Sequence, residues 1–188
     1  MTTNRIQKIS AYLVTAFNLL IITLPVACIL LWLFIDSAWI PQSIVQGFTP
    51  IQTPEGLINL NEITWTHLSK MIALVSHLIE QLPFFIGLLV LKSIFKNYEK
   101  GNIFNAENAC SFKKLGWLFI AQACIAKPLG DMLFIGAATL SNPPGHRYIS
   151  FGFGTPNIES VFCGVMMIVI SWVMLEASNL HDEQSFTI

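Results

Sequence analysis

Long apolar stretches dominate the pattern of hydrophobic and polar positions along the chain. Residues 12–35 run for 24 positions without a charged side chain. As a helix they would span about 36 Å, more than the roughly 30 Å of a bilayer's hydrocarbon core. Residues 71–91, 115–140 and 160–180 are also apolar over most of their length. The pattern predicts an all-α integral membrane protein, in which residues 1–188 form one bundle of four transmembrane helices.

The distribution of Lys and Arg indicates how these spans are oriented. Five lysines lie in the middle connection, residues 92–114, whereas residues 36–70 and 141–159 hold one cation each. Cationic loops resist translocation. We therefore expect residues 92–114 and both termini on the cytoplasmic side of a bacterial inner membrane, and the other two loops outside. The first apolar stretch is too long for a secretory signal, so we expect it to remain as a span.

One of the two outward loops has the pattern of a strand. Ile149, Phe151 and Phe153 alternate with small or polar residues, which is typical of a strand with one apolar face. Leu57–Ile63 is a weaker candidate for its partner. The sequence is therefore compatible with a small outward β-hairpin or cap. The alternative is an irregular loop whose Phe side chains enter the membrane interface.

The middle connection has the signals of a helix, a turn and a second helix. Gly101 suits the left-handed geometry that ends a helix, and Asn105 can cap the next one. Apolar and cationic side chains occur together here, which suits either anchoring at the lipid interface or binding of a cytosolic protein. The candidate surface residues are Phe95, Tyr98, Lys100, Gly101, Phe104, Asn105, Asn108, Lys113 and Lys114.

Four ionisable side chains fall at similar depths within two of the spans. A lone charge at the bilayer centre costs about 2.5–3.5 kcal/mol, so Glu80 and Lys127 are expected to pair. Asp131 follows Lys127 by one helical turn and competes for the same ammonium, and His77 precedes Glu80 by three residues. The cluster is either a structural ion pair or a relay for protons or ions.

Several classes of function find no support in the composition or the motifs. Only 11% of residues are charged and the net charge is -1, unlike a direct nucleic-acid binder. The His and Cys spacings collect no metal ligands, and no nucleophile has a recognisable base. We therefore expect no enzyme activity, no metal and no cofactor. Small residues one turn apart, as at Ala126 and Gly130 or Ser160 and Gly164, favour close helix packing and leave a homo-oligomer open.

The middle connection resembles a known sequence family. Residues 98–108, Tyr-Glu-Lys-Gly-Asn-Ile-Phe-Asn-Ala-Glu-Asn, and residues 112–117, Phe-Lys-Lys-Leu-Gly-Trp, are similar to the hallmark of the YoaS-like bacterial membrane proteins, domain of unknown function 2975. The resemblance extends over nearly the whole chain and includes the acidic C-terminal residues Glu176, Asp182 and Glu183.

This resemblance implies no catalytic activity, because the family has none assigned. Genes of the family often neighbour a small Cro/C1-type helix-turn-helix regulator, which implies a membrane-bound controller of that cytosolic protein. The middle connection and the acidic tail would then hold the regulator at the membrane. The alternative function is a small carrier coupled to protons or ions, acting through the charged cluster within the spans.

Overall fold

Helices account for nearly all of the structure, a computed structural model that describes residues 2–37, 51–53, 56–152 and 154–186. The elements are α1 (Thr2–Phe34), β1 (Ile51–Thr53), β2 (Gly56–Ile58), α2 (His67–Glu99), α3 (Ala106–Ala121), α4 (Lys127–Thr139) and α5 (Thr155–Phe186). Residues 122–126 form a π-helical turn that joins α3 to α4, and Leu60–Glu62 form a 3₁₀ turn.

Four helical stretches are long and apolar enough to cross a membrane. They are Arg5–Phe34, His67–Glu99, Ala106–Thr139 and Thr155–Leu180. The predicted all-α membrane fold with four apolar helices is therefore confirmed. The helices extend beyond the predicted spans. An apolar pattern marks only the residues inside the hydrocarbon core, about 20 for each helix, and a helix can continue outside the core.

The helices contribute to two compact units. Unit 1 contains Met1–Thr23, Leu82–Cys124 and Gly154–Ile188. Unit 2 contains Leu24–Gln81 and Ile125–Phe153. Each unit has its own way of bringing helices together, through glycines in the first and through aromatic side chains in the second.

In unit 1, α3 and α5 cross at a pair of glycines. A Cβ atom on Gly116 would lie 2.6 Å from the carbonyl oxygen of Gly164, and one on Gly164 would lie 2.7 Å from that of Gly116. Only glycine allows the two backbones this close an approach. The expected role of Gly164 in close packing is thus present, but its partner Gly116 was not predicted.

The core of unit 2 centres on Trp32, which is 2% exposed. Its ring lies 5.2 Å from that of Trp65 and 5.8 Å from that of Phe134, in edge-to-face arrangements. Such pairs contribute about 0.5–1.5 kcal/mol beyond the area they bury. Ala73 and Ala137 complete the core with no measurable exposure, so small residues let α2 and α4 approach the aromatic group.

The structure has a β-hairpin, but at a different place from the predicted one. β1 and β2 pair antiparallel, with Thr53 opposite Gly56. Residues 146–152 form neither helix nor strand, so the strand predicted around Ile149 and Phe151 is wrong, and Phe153 lies outside the described residues. The weaker candidate, Leu57–Ile63, is divided between β2 and the 3₁₀ turn.

A side chain explains why this segment does not pair as a strand. Thr139 Oγ1 accepts the backbone N–H of Tyr148 at 3.0 Å and lies 3.2 Å from the Tyr148 carbonyl oxygen. The backbone N–H of Tyr148 is therefore used by a side chain on α4, and a ladder partner would have to displace it. The apolar residues that follow remain exposed, Ile149 by 76% and Phe151 by 69%.

Candidate functional site

Three of the four ionisable residues within the spans meet around one ammonium group. Lys127 Nζ donates to both carboxylate oxygens of Asp131 at 3.0 Å, and it lies 3.5 Å from Glu80 Oε1. The bond to Asp131 is within one helix, whereas the bond to Glu80 joins α4 to α2. The predicted contact between Glu80 and Lys127 is therefore present, and Asp131 is the closer partner.

The fourth residue, His77, lies on α2 and packs against an aromatic ring. The centroids of the His77 and Trp32 rings are 6.2 Å apart, with the rings at 63°. His77 thereby connects the charged cluster on α2 with the aromatic core of unit 2. The indole N–H groups of Trp32 and Trp65 are buried without an acceptor among the described residues.

A close approach of backbones holds α2 beside α4 at this cluster. Ser76 Oγ donates to the carbonyl oxygen of Gly130 at 2.8 Å. A Cβ atom on Gly130 would lie 3.1 Å from Glu80 Cβ, tighter than ordinary contact. The missing side chain at Gly130 therefore lets the carboxyl-bearing face of α2 reach Lys127, three residues earlier on α4.

The π-helical turn before α4 accommodates the proline that follows Lys127. Pro128 has no backbone N–H, so a carbonyl oxygen in the preceding turn of the helix lacks its usual donor. π-turns often relieve such a defect and are frequent at functional sites. Asn157 on α5 supplies an external donor to the turn, because its Nδ2 donates to the Ala123 carbonyl oxygen at 2.6 Å. Asn157 is 3% exposed.

The charged cluster carries two carboxylates for one ammonium. The side chains of Lys127, Glu80 and Asp131 are 30%, 31% and 37% exposed. With all three ionised the sum is one negative charge, which a low-dielectric setting penalises. A bound proton or cation would remove the excess. In the part of the chain that the structure describes, no three His, Cys, Asp or Glu side chains could together hold a metal ion.

Within the middle connection, residues 100–105 form a turn that asparagines hold in place. α2 ends at Glu99, and Gly101 has a positive φ of 85°. Asn105 caps α3 by accepting the N–H of Asn108 at 2.7 Å. The predicted order of helix, turn and helix, with Gly101 ending the first and Asn105 capping the second, is confirmed.

Asn108 fixes this turn from the inside. It has no measurable exposure, and its Nδ2 donates to the carbonyl oxygens of Asn102 and Ile103 at 2.9 Å. Its Oδ1 accepts from Asn97 Nδ2 at 2.9 Å. One side chain thus connects the end of α2, the turn and the start of α3. The sequence singled out Asn108 as a surface residue, whereas the structure buries it.

The remaining surface candidates divide into packed and exposed residues. The Phe95 ring lies 5.6 Å from Phe17 and 5.5 Å from Tyr98, so both candidates pack inside unit 1. Phe104 is 51% exposed. The exposed cations of the group are Lys100, Lys113 and Lys114. Neither Lys113 nor Lys114 forms an ion pair with a side chain that the structure describes.

The acidic tail belongs to α5, which continues as a helix to Phe186. Glu176 and Glu183 are exposed on it, and the side chain of Asp182 lies outside the described part. α5 packs on α3 at the Gly116 and Gly164 crossing. The tail is therefore a helical extension of the same unit that contains the asparagine-held turn.

Comparison with known proteins identifies the sequence family of this chain. Residues 3–188 match a family described as "Protein of unknown function (DUF2975)". The chain belongs to the DUF2975 family. No curated protein and no solved structure matches it. The predicted family is thus confirmed, and this DUF2975 chain is a membrane protein whose activity is unknown.

The family resemblance rests partly on residues that the structure gives an architectural role. In this DUF2975 chain Gly101, Asn105 and Asn108 build the turn, and Gly116 allows the helix crossing that follows it. Lys100, directly before them, and Phe104, between Gly101 and Asn105, remain at the surface. The architectural residues explain how the turn forms, so the exposed residues are the ones left to contact another molecule.

Proposed function

We propose that this DUF2975 protein lies in a bacterial inner membrane with both termini and the turn at residues 100–105 facing the cytoplasm. Unit 1 contains all three of these segments. A Cβ atom on Gly101 would lie 3.3 Å from Gln7 Nε2, so the turn contacts the N-terminal part of α1. Seven of the ten cationic residues belong to this unit: Arg5, Lys8, Lys92, Lys96, Lys100, Lys113 and Lys114. The positive-inside rule favours the cytoplasm for it.

The protein then acts as a membrane-bound partner of a cytosolic helix-turn-helix regulator. The supporting observation is the half-exposed ring of Phe104, held in a turn that Asn108 fixes from within. An ordered aromatic side chain loses little entropy on binding, and aromatic anchors dominate many interfaces. Lys100 lies on the same turn and gives the surface a positive charge. The class of partner comes from the gene neighbours that the family resemblance implies.

The test is co-purification of the protein with the helix-turn-helix regulator encoded beside it. Phe104→Ala should reduce recovery of the regulator from solubilised membranes about tenfold, a typical loss for an anchor residue. Lys113→Glu should reduce it through charge reversal. Trp117→Ala is the matched control, because it removes a 58% exposed ring from α3 without touching the turn. Glu80→Gln should leave recovery unchanged.

Two outcomes would contradict this function. Recovery of the regulator at the wild-type level from both Phe104→Ala and Lys113→Glu would mean that the turn is not its binding surface. Equal losses from Phe104→Ala and Trp117→Ala would indicate that exposed apolar area, as in anchoring at the lipid interface, explains the effect.

A carrier of protons or ions is the second candidate, and the excess carboxylate at Lys127 favours it. Intramembrane acids and their cationic partners mark ion pathways in transporters. The purified protein in liposomes should then dissipate an imposed proton gradient, and Glu80→Gln should abolish this flux. Glu99→Gln, a change at an exposed residue at the end of α2, is the matched control. Vesicles that remain tight with the wild-type protein would refute the carrier function.

A further inference from the structure

Unit 2 contains a groove of about 360 Å³ that neither proposed function uses. Its walls come from the first turns of α2, the last two turns of α4 and the segment that follows α4. Pockets for small molecules begin at about 300 Å³. The apolar lining consists of Ile72, Met132, Leu133, Gly136, Leu140 and Ile149.

Arg147 is the charged residue among those that line the groove. Its Nε donates to the carbonyl oxygen of Asn142 at 2.9 Å, which holds the guanidinium in place. Its Nη groups have no acceptor among the side chains and backbone that the structure describes. The other polar side chain on α4 here, Thr139, already bonds the Ile135 and Tyr148 backbones. Tyr148 completes the lining, and the Nη groups of Arg147 are donors in the groove that have no described acceptor.

The groove coincides with the end of two membrane spans. The third span ends at Thr139, and Arg147 lies eight residues beyond it. The second span begins at His67, and Ile72 lies one turn inside it. The apolar wall is thus at the depth of acyl chains, whereas the guanidinium is beyond the apolar helix, where lipid headgroups lie.

We propose that this groove binds an anionic phospholipid, with one acyl chain along the apolar wall and the phosphate on the Nη groups of Arg147. An Arg fork matches phosphate oxygens in a bidentate arrangement. Water is a poor occupant, because it needs two to four polar partners and the wall offers none. A free anion would use the guanidinium and leave the apolar wall empty.

Gly136 gives a second reason to place a chain in the groove. Glycine within a helix costs about 1 kcal/mol relative to alanine. A Cβ atom on Gly136 would lie 4.0 Å from Ile149 Cγ1, an ordinary contact, so no helix crossing requires glycine here. Its effect is to leave space along the wall, and a larger side chain at this position would fill that space.

The test is a titration of the purified full-length protein in detergent, followed by native mass spectrometry. The ligands are phosphatidylglycerol, diacylglycerol with the same acyl chains, and glycerol phosphate. The wild-type protein should bind phosphatidylglycerol at least tenfold more tightly than diacylglycerol, as expected for a charge-assisted hydrogen bond. Arg147→Gln should remove this preference, and Arg147→Lys should retain part of it. Gly136→Leu should weaken binding of both lipids about tenfold.

Two matched controls make the same kinds of change elsewhere in the chain. Arg5→Gln removes an exposed arginine from unit 1, and Gly152→Leu adds a leucine side chain at an exposed glycine with open space around it. Both should bind lipid like the wild type. If Gly136→Leu fails to fold, Ile149→Ser, at a 76% exposed position, tests the same wall.

The proposal is overturned if Arg147→Gln keeps the preference for phosphatidylglycerol. It is also overturned if neither variant of the apolar wall weakens lipid binding. Displacement of phosphatidylglycerol by an equal concentration of glycerol phosphate would mean that the site takes free anions. Dimers that form without lipid and are lost in Gly136→Leu would mean that a second copy of the chain fills the groove.

Discussion

At the scale of single residues, Asn108 shows how one buried amide can hold a whole connection. Its side chain bonds two carbonyl oxygens of the turn and one amide on α2. An unsatisfied buried polar group costs about 1–3 kcal/mol. Because the Asn108 side chain is fully buried and bonds three groups of the connection, we expect the connection to be rigid, which is what a docking surface requires.

Asn108→Ala should therefore lower the free energy of unfolding by about 3 kcal/mol, since it leaves three polar groups without their partner. The measurement is thermal or denaturant unfolding of the purified protein. Asn102→Ala is the matched control, because the Asn102 side chain is exposed and only its carbonyl bonds Asn108. Equal stability of the two variants would show that the buried network does not hold the turn.

Lys127 is the residue on which the charged cluster depends. Lys127→Gln leaves both Glu80 and Asp131 without a counter-charge, whereas Asp131→Asn leaves one ion pair. We expect Lys127→Gln to cost about 2–3 kcal/mol, on the scale of an unpaired charge within a bilayer. Asp131→Asn should cost less. Thermal unfolding in lipid nanodiscs gives the comparison, and a greater loss in Asp131→Asn would disprove this assignment.

At the scale of elements, the crossing of α3 and α5 is the contact most sensitive to volume. Gly116→Ala would place a methyl group 2.6 Å from the Gly164 carbonyl oxygen, and a backbone atom cannot move aside as a side chain does. Overpacking typically costs about 1–3 kcal/mol, so we expect a loss of this size in unfolding measurements.

Gly87→Ala is the matched control for this crossing. It adds the same methyl group on α2, but at 3.7 Å from Leu115 Cδ2, which is ordinary contact. Because alanine is also the better helix former, this variant should be neutral or slightly stabilising. Equal destabilisation by the two substitutions would mean that the crossing tolerates separation of its backbones.

Local signals explain which elements could be predicted from the sequence. The four helices follow from apolar length, and Gly101 and Asn105 mark a turn through their own backbone preferences. Matching depth and opposite charge predicted the contact of Glu80 with Lys127. These local signals do not indicate which helices contact each other, so the sequence predicted no partner for Gly164. Pro128 was a visible signal for the π-turn, but the donor from Asn157 is 34 residues away along the chain.

The error in the segment after α4 has a related cause. Alternation of apolar residues predicted a strand at Ile149, yet alternation says nothing about an available ladder partner. Thr139 accepts the backbone N–H of Tyr148 instead, and this contact depends on where α4 ends. Likewise, the sequence identified Arg147 only as the single cation of its loop. Its position in the lining of a groove could not be predicted without the three-dimensional structure.

At the scale of the whole molecule, both proposed functions depend on one orientation of the chain across the membrane. Cationic residues concentrate in the unit that contains the turn and the tail, and the segment after α4 holds Arg147 alone. If the turn faces the cytoplasm, a regulator can reach Phe104, and the acids of the spans lie between two aqueous phases. If the turn faces outward, no cytosolic protein can bind it.

Labelling of single cysteines tests this arrangement. In a variant whose native cysteines, Cys28, Cys110, Cys124 and Cys163, are replaced by alanine, Gly152→Cys should react with a membrane-impermeant maleimide in intact cells. Asn102→Cys should react only after the membrane is permeabilised. Both positions are exposed, so access to the reagent and not burial decides the labelling. One span, Ala106–Thr139, separates the two positions, so they lie on opposite sides of the membrane. Labelling of Asn102→Cys in intact cells would show the opposite orientation and exclude the regulator as a partner of this turn.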